Sequence, residues 1–329
     1  MEKTFHPSEI LQISGSYWQS CTLHAGVHLG VFSVIGDRPL TADEVSDRIK
    51  ADPRATAMLL NALASMGFLV LDGDRYRNTA SSRKRLVKDS PGYLGYMIMH
   101  HHHLVDAWAR LSTSVVSGGP AERTSHGEDQ ERESFLMGMF NNAMSIAPGV
   151  ASQIDLSGRR SLLDLGGGPG TYAIHFCSKN PNLEGTVYDL PSTRPFAEET
   201  IERFDLAHRI KFVGGDFTTD SIPGTYDVVW MSHILHGMGM DECRQVVRKA
   251  VSSLKANGLV FIHEFILDDT LDAPMFPAIF SLNMLLNTER GQSYSEAQLR
   301  EMLEEAGAKE IVRVDFVGPN ESGIVRGAK

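Results

Sequence analysis

The sequence predicts an α/β protein: a doubly wound, mostly parallel, seven-stranded sheet over residues 151–329, behind a mainly helical region over residues 1–150. Three observations predict it. Beyond residue 160, short apolar runs alternate with helical patterns, as in a parallel sheet covered on both faces. The first run leads into a glycine turn, SLLDLGGGPG, with Gly166, Gly168 and Gly170 on alternate positions. The second, TVYDLP, closes on Asp189 about one βαβ unit later, where such a sheet places a carboxylate for ribose hydroxyls. Glycine lets the backbone approach a ligand closely. Turn and acid together point to a nucleoside-bearing cofactor.

The elements follow in chain order. Residues 8–35 read as helix, with Trp18, Leu23, Val27, Val31 and Val34 at three- and four-residue spacings. In PLTADEVSDRI, Thr41 and Glu44 form a capping-box pattern, with Val45 and Ile49 on one face behind it. Asp52 caps the next helix, Pro53 occupies its first turn and Gly67 closes it. Residues 68–71 and 75–77 read as a hairpin around Asp72 and Gly73. Helix, helix, hairpin is the order of a winged-helix unit. Its second helix, ATAMLLNALASM, has no lysine or arginine to reach phosphates or base edges, so DNA binding is not expected. Its apolar surface suits a homodimer interface better.

GYMIMHHHHLVDAWARL continues as helix, with Met97, Leu104, Trp108 and Leu111 in register. Of its four histidines only His100 and His103 share a face. No carboxylate stands beside them, so no metal is expected, and pocket lining or ordinary surface remains. Residues 117–133 read as a polar loop, and 133–146 as helix with Phe135, Phe140 and Met144. The domain boundary falls over residues 151–160.

Bulk properties bound the function. The 329 residues suffice for two cores, and 42% apolar with 22% charged residues is a globular mixture. A net charge of −10 lacks the basic stripe of a nucleic-acid binder. Cys21, Cys177 and Cys243 have neither CxxC spacing nor an even count, so reduced thiols are expected rather than a disulfide framework or zinc site. The stretch MEKTFHPSEI has no signal-peptide apolar core, and no window of about 18 apolar residues occurs. A cytoplasmic protein without a membrane segment is the expectation.

In the carboxyl-terminal region the strand candidates are residues 161–165, 186–189, 210–213, 227–231, 259–265, 311–316 and 324–326, with a turn at Gly318 and Pro319. Ligands of such sheets gather at the carboxyl ends of the strands, which selects Asp189, Asp216, His236 and Glu264. Asp216 sits in VGGDF, as a purine contact or a turn cap. Alternation along VFIHEF puts Val260, Ile262 and Glu264 on one face and His263 on the other. If the fourth and fifth strands are neighbours, Glu264 meets His236 of ILHGM across one crevice. An imidazole oriented by a carboxylate is a general base with a fixed tautomer.

The run LLDLGGGPG, YDLP, VGGDF, ILHGMGMDEC and HEF, in that order, resembles the caffeate-type, class I S-adenosylmethionine-dependent O-methyltransferases over nearly the whole chain. The resemblance implies a Rossmann-like sheet and a winged-helix dimerisation domain that makes a homodimer. It implies S-adenosyl-L-methionine as methyl donor, with S-adenosyl-L-homocysteine as product. The acceptor would be a small molecule carrying a phenolic or enolic hydroxyl. His236 would be the base and Glu264 its orienting carboxylate. Asp164, Gly166, Gly168, Asp189, Leu190, Asp216, Phe217 and Ser232 would serve the cofactor. His103, Trp108, Phe140, Met144, Phe280, Met284 and Asn287 would line the substrate, and no metal is implied. The sequence departs from the family at Gly237 and Met238, where an acid or amide and then tryptophan usually follow the histidine. Ser232 replaces a lysine, and Ser293 in GQSYS stands where a second supporting acid is common. Residues 168–173 also fit GxGxxA. A nicotinamide oxidoreductase therefore stays open as an alternative, as does a non-catalytic binding protein on the same fold.

Overall fold

The computed structural model describes residues 4–120 and 128–329. The chain divides into two compact units, residues 1–105 with 125–142 and residues 106–124 with 143–329.

In the first unit, the stretch expected as one helix over 8–35 is three: Pro7–Gly15, Tyr17–His28 and Val31–Ile35. Gly30, at φ 68°, makes the last break, in a region only glycine enters freely. Strand β1 (Leu40–Thr41) precedes helices Ala42–Ile49 and Pro53–Ser65, then β2 (Leu69–Asp72) and β3 (Arg75–Asn78). The small sheet is antiparallel in the order β1-β3-β2. β1 was not anticipated, because two residues give no alternation to read. Both predicted caps form. Thr41 Oγ1 accepts from the Glu44 N–H at 3.2 Å while Glu44 Oε2 accepts from the Thr41 N–H at 2.8 Å. Asp52 Oδ1 accepts from the Ala55 N–H at 2.8 Å. Phe32, Val45, Leu60, Leu63 and Leu69 form the centre of this unit's core. The helix Gly95–Ala109 carries the histidine run, and His102 meets His24 and His28 with ring centroids 5.6 and 5.5 Å apart.

The second unit holds the seven-stranded sheet: β4 (Ser161–Leu165), β5 (Glu184–Asp189), β6 (Ile210–Gly214), β7 (Tyr226–Ser232), β8 (Leu254–Phe265), β9 (Lys309–Arg313) and β10 (Ser322–Ala328). Their order is β6-β5-β4-β7-β8-β10-β9. β4 to β8 pair in parallel, and β10 runs antiparallel between β8 and β9. The alternation along each strand separates two cores. Leu162, Val228, Trp230 and Phe261 face helices Thr171–Lys179 and Arg194–Arg203 through Ile174, Phe176, Ala197 and Ile201. Leu163, Val229, Val260 and Ile262 face helices Met240–Ser252 and Glu296–Glu305 through Val246, Val247, Leu299 and Leu303. The order reverses at β4, between β5 and β7, so the crevice at its carboxyl end is the switch point of a doubly wound sheet.

Three elements differ most in their boundaries from expectation. β8 begins at Leu254, where exposed Lys255 and Asn257 hide the strand in sequence. The strand expected over 311–316 is β9, which ends at Arg313. The helix expected over 133–146 spans Glu128–Gln153 through Pro148, and buried Ala147, Val150 and Ala151 offset the cost of that proline. Of the expected loop over 117–133, residues 121–127 lie outside the described residues. Among the described residues no helix is long and apolar enough to cross a membrane.

Candidate active site

The glycine turn leaves β4 with Gly166, Gly168 and Gly170 at φ 66°, 53° and 80°. A side chain at Gly166 would collide with Ile234, at 2.6 Å, and crowd the Phe217 ring at 3.3 Å. At Gly168 a Cβ would meet nothing within 4 Å, so the turn opens a cradle there. Asp189 borders that cradle. Its Oδ2 accepts from the Gly168 N–H at 2.8 Å, and its Oδ1 from the Leu190 N–H at 2.7 Å and the Thr193 hydroxyl at 3.1 Å. Three of the roughly four acceptor sites of the carboxylate are taken, and Oδ2 keeps one for a ribose hydroxyl. The residues present therefore fit a nucleoside-bearing cofactor.

Asp164 lies under the turn, 1% exposed, and accepts from the Ala173 N–H at 3.0 Å. Burial pushes its pKa up to about 7; the Ala173 bond opposes this and the nearby Asp189 charge adds to it. Asp216 caps its own turn, accepting from the Thr218 N–H at 2.9 Å and the Thr218 hydroxyl at 2.6 Å, which holds its carboxyl below the ordinary range. The turn-cap reading of Asp216 thus holds in this geometry. The Lys249 ammonium fastens the same loop, donating to the carbonyls of Phe217, Thr218 and Asp220 at 3.1, 2.9 and 2.8 Å.

β7 and β8 are neighbours, and the pair foreseen across them forms. His236 Nδ1 is 2.8 Å from Glu264 Oε2. Glu264 is 2% exposed, and its carboxylate also accepts from the N–H groups of Leu235, His236 and Phe265 at 2.9, 3.3 and 3.3 Å. Burial alone would raise its pKa; the His236 charge and hydrogen bonds outweigh this and hold the carboxyl below its usual value. The loop that carries His236 is tied from behind. Cys243 Sγ donates to the Leu235 carbonyl at 3.2 Å, and the Tyr294 hydroxyl donates to the Met238 carbonyl. The His236 ring stands edge-on to Phe280 at 4.9 Å and lies stacked 6.1 Å from Phe265.

Ser232 does not reach out as a lysine would. Its hydroxyl lies 3.0 Å from both His233 Nδ1 and His263 Nδ1. His263 continues to the Tyr172 hydroxyl and to Ser322 Oγ, each at 3.2 Å. Burial pushes His233 down to about 4 and His263 well below its ordinary value, so both are neutral at neutral pH. A depressed imidazole stabilises the fold above the unfolded value of about 6.5 and loses that contribution as pH falls. Asp164, with its raised value, works in the opposite sense over the same window. His175 of the same unit is also depressed by burial, so three histidines against one aspartate leave a net uptake of roughly one to two protons on unfolding. Unfolding free energy of the sheet unit should therefore fall by roughly 1–2 kcal/mol per pH unit between about pH 6 and 5. Urea titrations at the two pH values check this; a flat or rising stability on acidification would contradict the neutral imidazoles.

Of the other expected lining residues, Phe280 and Met284 lie on the helix Met275–Asn287. Trp108 belongs to the same unit, and its indole N–H donates to Asn283 Oδ1 at 3.1 Å. Asn287 is exposed, its amide turned back onto the Asn283 carbonyl at 2.8 Å. Met144 is partly buried in the second unit, and His103 and Phe140 are buried in the first. Gly237 is exposed and Met238 buried. Ser293 is 4% exposed; its N–H donates to Ser281 Oγ at 3.0 Å, and its own hydroxyl is buried without a hydrogen-bond partner. Sequence reasoning missed Phe265, Asn283, Cys243 and Tyr294. Phe265 follows Glu264 directly and Asn283 lies one turn before Asn287, so neighbouring residues carried a signal for two of them. Nothing local marks the other two.

A switch-point cradle for a nucleoside and a carboxylate-held imidazole on the adjoining strands define a group-transfer enzyme of the S-adenosylmethionine-dependent methyltransferase class once known proteins are compared. The chain matches the O-methyltransferase domain over residues 103–309 and the O-methyltransferase dimerisation domain over residues 11–88. It is 32% identical to a 3-hydroxy-5-methyl-1-naphthoate 3-O-methyltransferase of Streptomyces sahachiroi, over 98% of this chain and 95% of that protein. It is also 32% identical to the N,N-dimethyltransferase OxyT of Streptomyces rimosus, over 93% and 92%. The solved structure of PigF with SAH superposes with a TM-score of 0.90 at 25% identity, covering 99% of this chain and 100% of that one. The chain belongs to the plant-like O-methyltransferase family and uses S-adenosylmethionine. The nicotinamide alternative is thereby set aside.

Proposed function

We propose that the protein transfers a methyl group to a phenolic or enolic hydroxyl of a small molecule, with His236 as general base and Glu264 as its orienting carboxylate. The observation that carries the reading is the 2.8 Å contact of His236 Nδ1 with Glu264 Oε2 at the carboxyl ends of β7 and β8. With Nδ1 engaged, Nε2 is the atom left to take a proton. The naphthoate relative's name specifies a hydroxyl on an aromatic ring, which supports the same acceptor class here.

The donor's sulfonium makes its methyl carbon electrophilic. The acceptor O–H proton passes to His236 Nε2 as an oxygen lone pair forms the new O–C bond; the S–C bond pair returns to sulfur. Glu264 stabilises the imidazolium that results, and its buried carboxylate is already ionised for that task. Asp189 would hold the ribose, Gly166 and Gly168 the cofactor backbone, and Asp216, Phe217 and Leu190 the adenosyl end. Asp164 and Ser232 complete that set. Positioning of oxygen against methyl in a water-poor setting supplies most of the remaining acceleration. Phe280, Met284, Trp108, Met144 and Asn287 would line the acceptor side.

The dimerisation domain supports a homodimer, and the exposed Ile10, Leu11 and Trp18 of the first helices give it an apolar surface to bury. The helix–helix–hairpin order of residues 42–78 supports a winged-helix reading of that domain. Three free cysteines agree with a cytoplasmic, reducing setting. The cofactor assignment is tested by Asp189→Ala, which should weaken S-adenosylmethionine binding by about tenfold or more in calorimetry. Unchanged affinity would refute the ribose role.

A further inference from the structure

We propose that His233 is a specificity-determining residue, hydrogen-bonding a second oxygen of the acceptor beside the hydroxyl that takes the methyl, and so selecting aromatics with vicinal or peri oxygens. The inference rests on the reading of His236 as base and adds the substrate class.

His233 has φ 56°, in the left-handed region that most side chains avoid and that asparagine, aspartate and histidine enter more readily than the rest. That backbone is held in place by three contacts. Its N–H donates to the His263 carbonyl at 2.8 Å, and its ring packs 4.4 Å from His263 and 4.5 Å from Phe265. The backbone thus sets an imidazole beside Phe265, whose ring meets Phe276 and Phe280 edge-on at 4.9 and 4.8 Å. Packing alone would be served by another phenyl ring. A polar atom in a largely aromatic wall is how binding sites fix orientation.

The two imidazoles match. His236 is held at Nδ1 by Glu264 and His233 at Nδ1 by Ser232, at 2.8 and 3.0 Å. Their ring centroids are 6.2 Å apart. Among the described residues no hydrogen bond reaches either Nε2, and both residues are partly exposed. At that centroid spacing, bonds of about 3 Å from the two imidazoles can be shared between two oxygens on adjacent or peri carbons of one ring system. Burial keeps His233 neutral, so it can stand beside a sulfonium and a protonating His236 without adding a third positive charge.

The test uses full-length protein loaded with S-adenosylhomocysteine and calorimetric titration of 2,3- and 1,8-dihydroxynaphthalene against 2- and 1-naphthol. The wild-type protein should bind one dihydroxy probe about five- to tenfold more tightly than its monohydroxy partner. The ratio should fall to near one in His233→Phe, which keeps the ring packing, and in His233→Gly, which adopts the left-handed backbone freely. Thermal melting identifies the folded variant. A wild-type protein that does not separate the pairs, or a preference that survives in a folded variant, overturns the proposal. S-adenosylhomocysteine formation by wild type and by His236→Ala is followed separately. Full turnover in His236→Ala with the binding ratio intact would sink the base and leave His233 standing.

Discussion

His236→Ala is expected to lower turnover by about 10²–10⁴-fold while S-adenosylmethionine affinity stays within about twofold. The first half follows from what the ring does. A phenol attacking a methyl group sheds its proton, and without a base the solvent has to take it in a site from which water is largely excluded. The second half follows from where the ring sits. His236 is tied to Glu264, Phe265 and Phe280. The cradle at Gly168 and Asp189 is built from the ends of β4 and β5. Calorimetry with S-adenosylmethionine and a steady-state rate on one phenolic acceptor measure the two halves independently. A variant that loses cofactor binding in proportion to its rate would make His236 a cofactor residue.

Glu264→Ala should be costly in both stability and rate. The carboxylate is the shared acceptor of three backbone N–H groups and the His236 ring, within a nearly sealed site. Removing it leaves those donors unpaired, a loss of about 3–5 kcal/mol by comparison with other broken buried networks. Turnover should fall by at least about 10²-fold, because the base loses its tautomer and its counter-charge. Glu264→Gln separates the two losses. Its amide oxygen can still accept from Leu235 and His236, so much of the stability should return. Its NH₂ then faces both His236 Nδ1 and the Phe265 N–H, so the rate should stay low. Urea denaturation and turnover on the same preparations decide between the terms. A Glu264→Gln protein with near wild-type rate would reduce the carboxylate to a structural anchor.

Much of the sheet unit was legible in the amino-acid sequence, because its signals are local. Each parallel strand is an apolar run bounded by a turn, and the glycine turn marks itself by composition. The His236–Glu264 pair was legible only conditionally. Alternation along VFIHEF fixed the face of Glu264, but the pairing of β7 with β8 is a long-range fact that no single segment contains. β10 was anticipated as a strand over 324–326, but its antiparallel direction was hidden for the same reason. In the first unit the break at Ser16 was marked by Ser14, Gly15 and Ser16, and reading 8–35 as a single helix passed over it. Gly30 carried a signal too, and the spacing of Val27, Val31 and Val34 masked it. At the site, the residues that escaped notice act through the backbone: Cys243 and Tyr294 bind carbonyls of the His236 loop. Such contacts depend on where a carbonyl points, which spacing does not encode. His233 stands three residues before His236 in the sequence, but its left-handed backbone and its ring contacts are tertiary properties.

The central claim is an imidazole and a methyl donor facing one acceptor oxygen from opposite sides. A crystal structure with S-adenosylhomocysteine and a phenolic acceptor tests it most directly. The acceptor oxygen is expected within about 3 Å of His236 Nε2, facing the cofactor sulfur with room for one methyl carbon in line between oxygen and sulfur. An acceptor oxygen out of reach of His236, or a ring turned from the sulfur with no space between them, would contradict it.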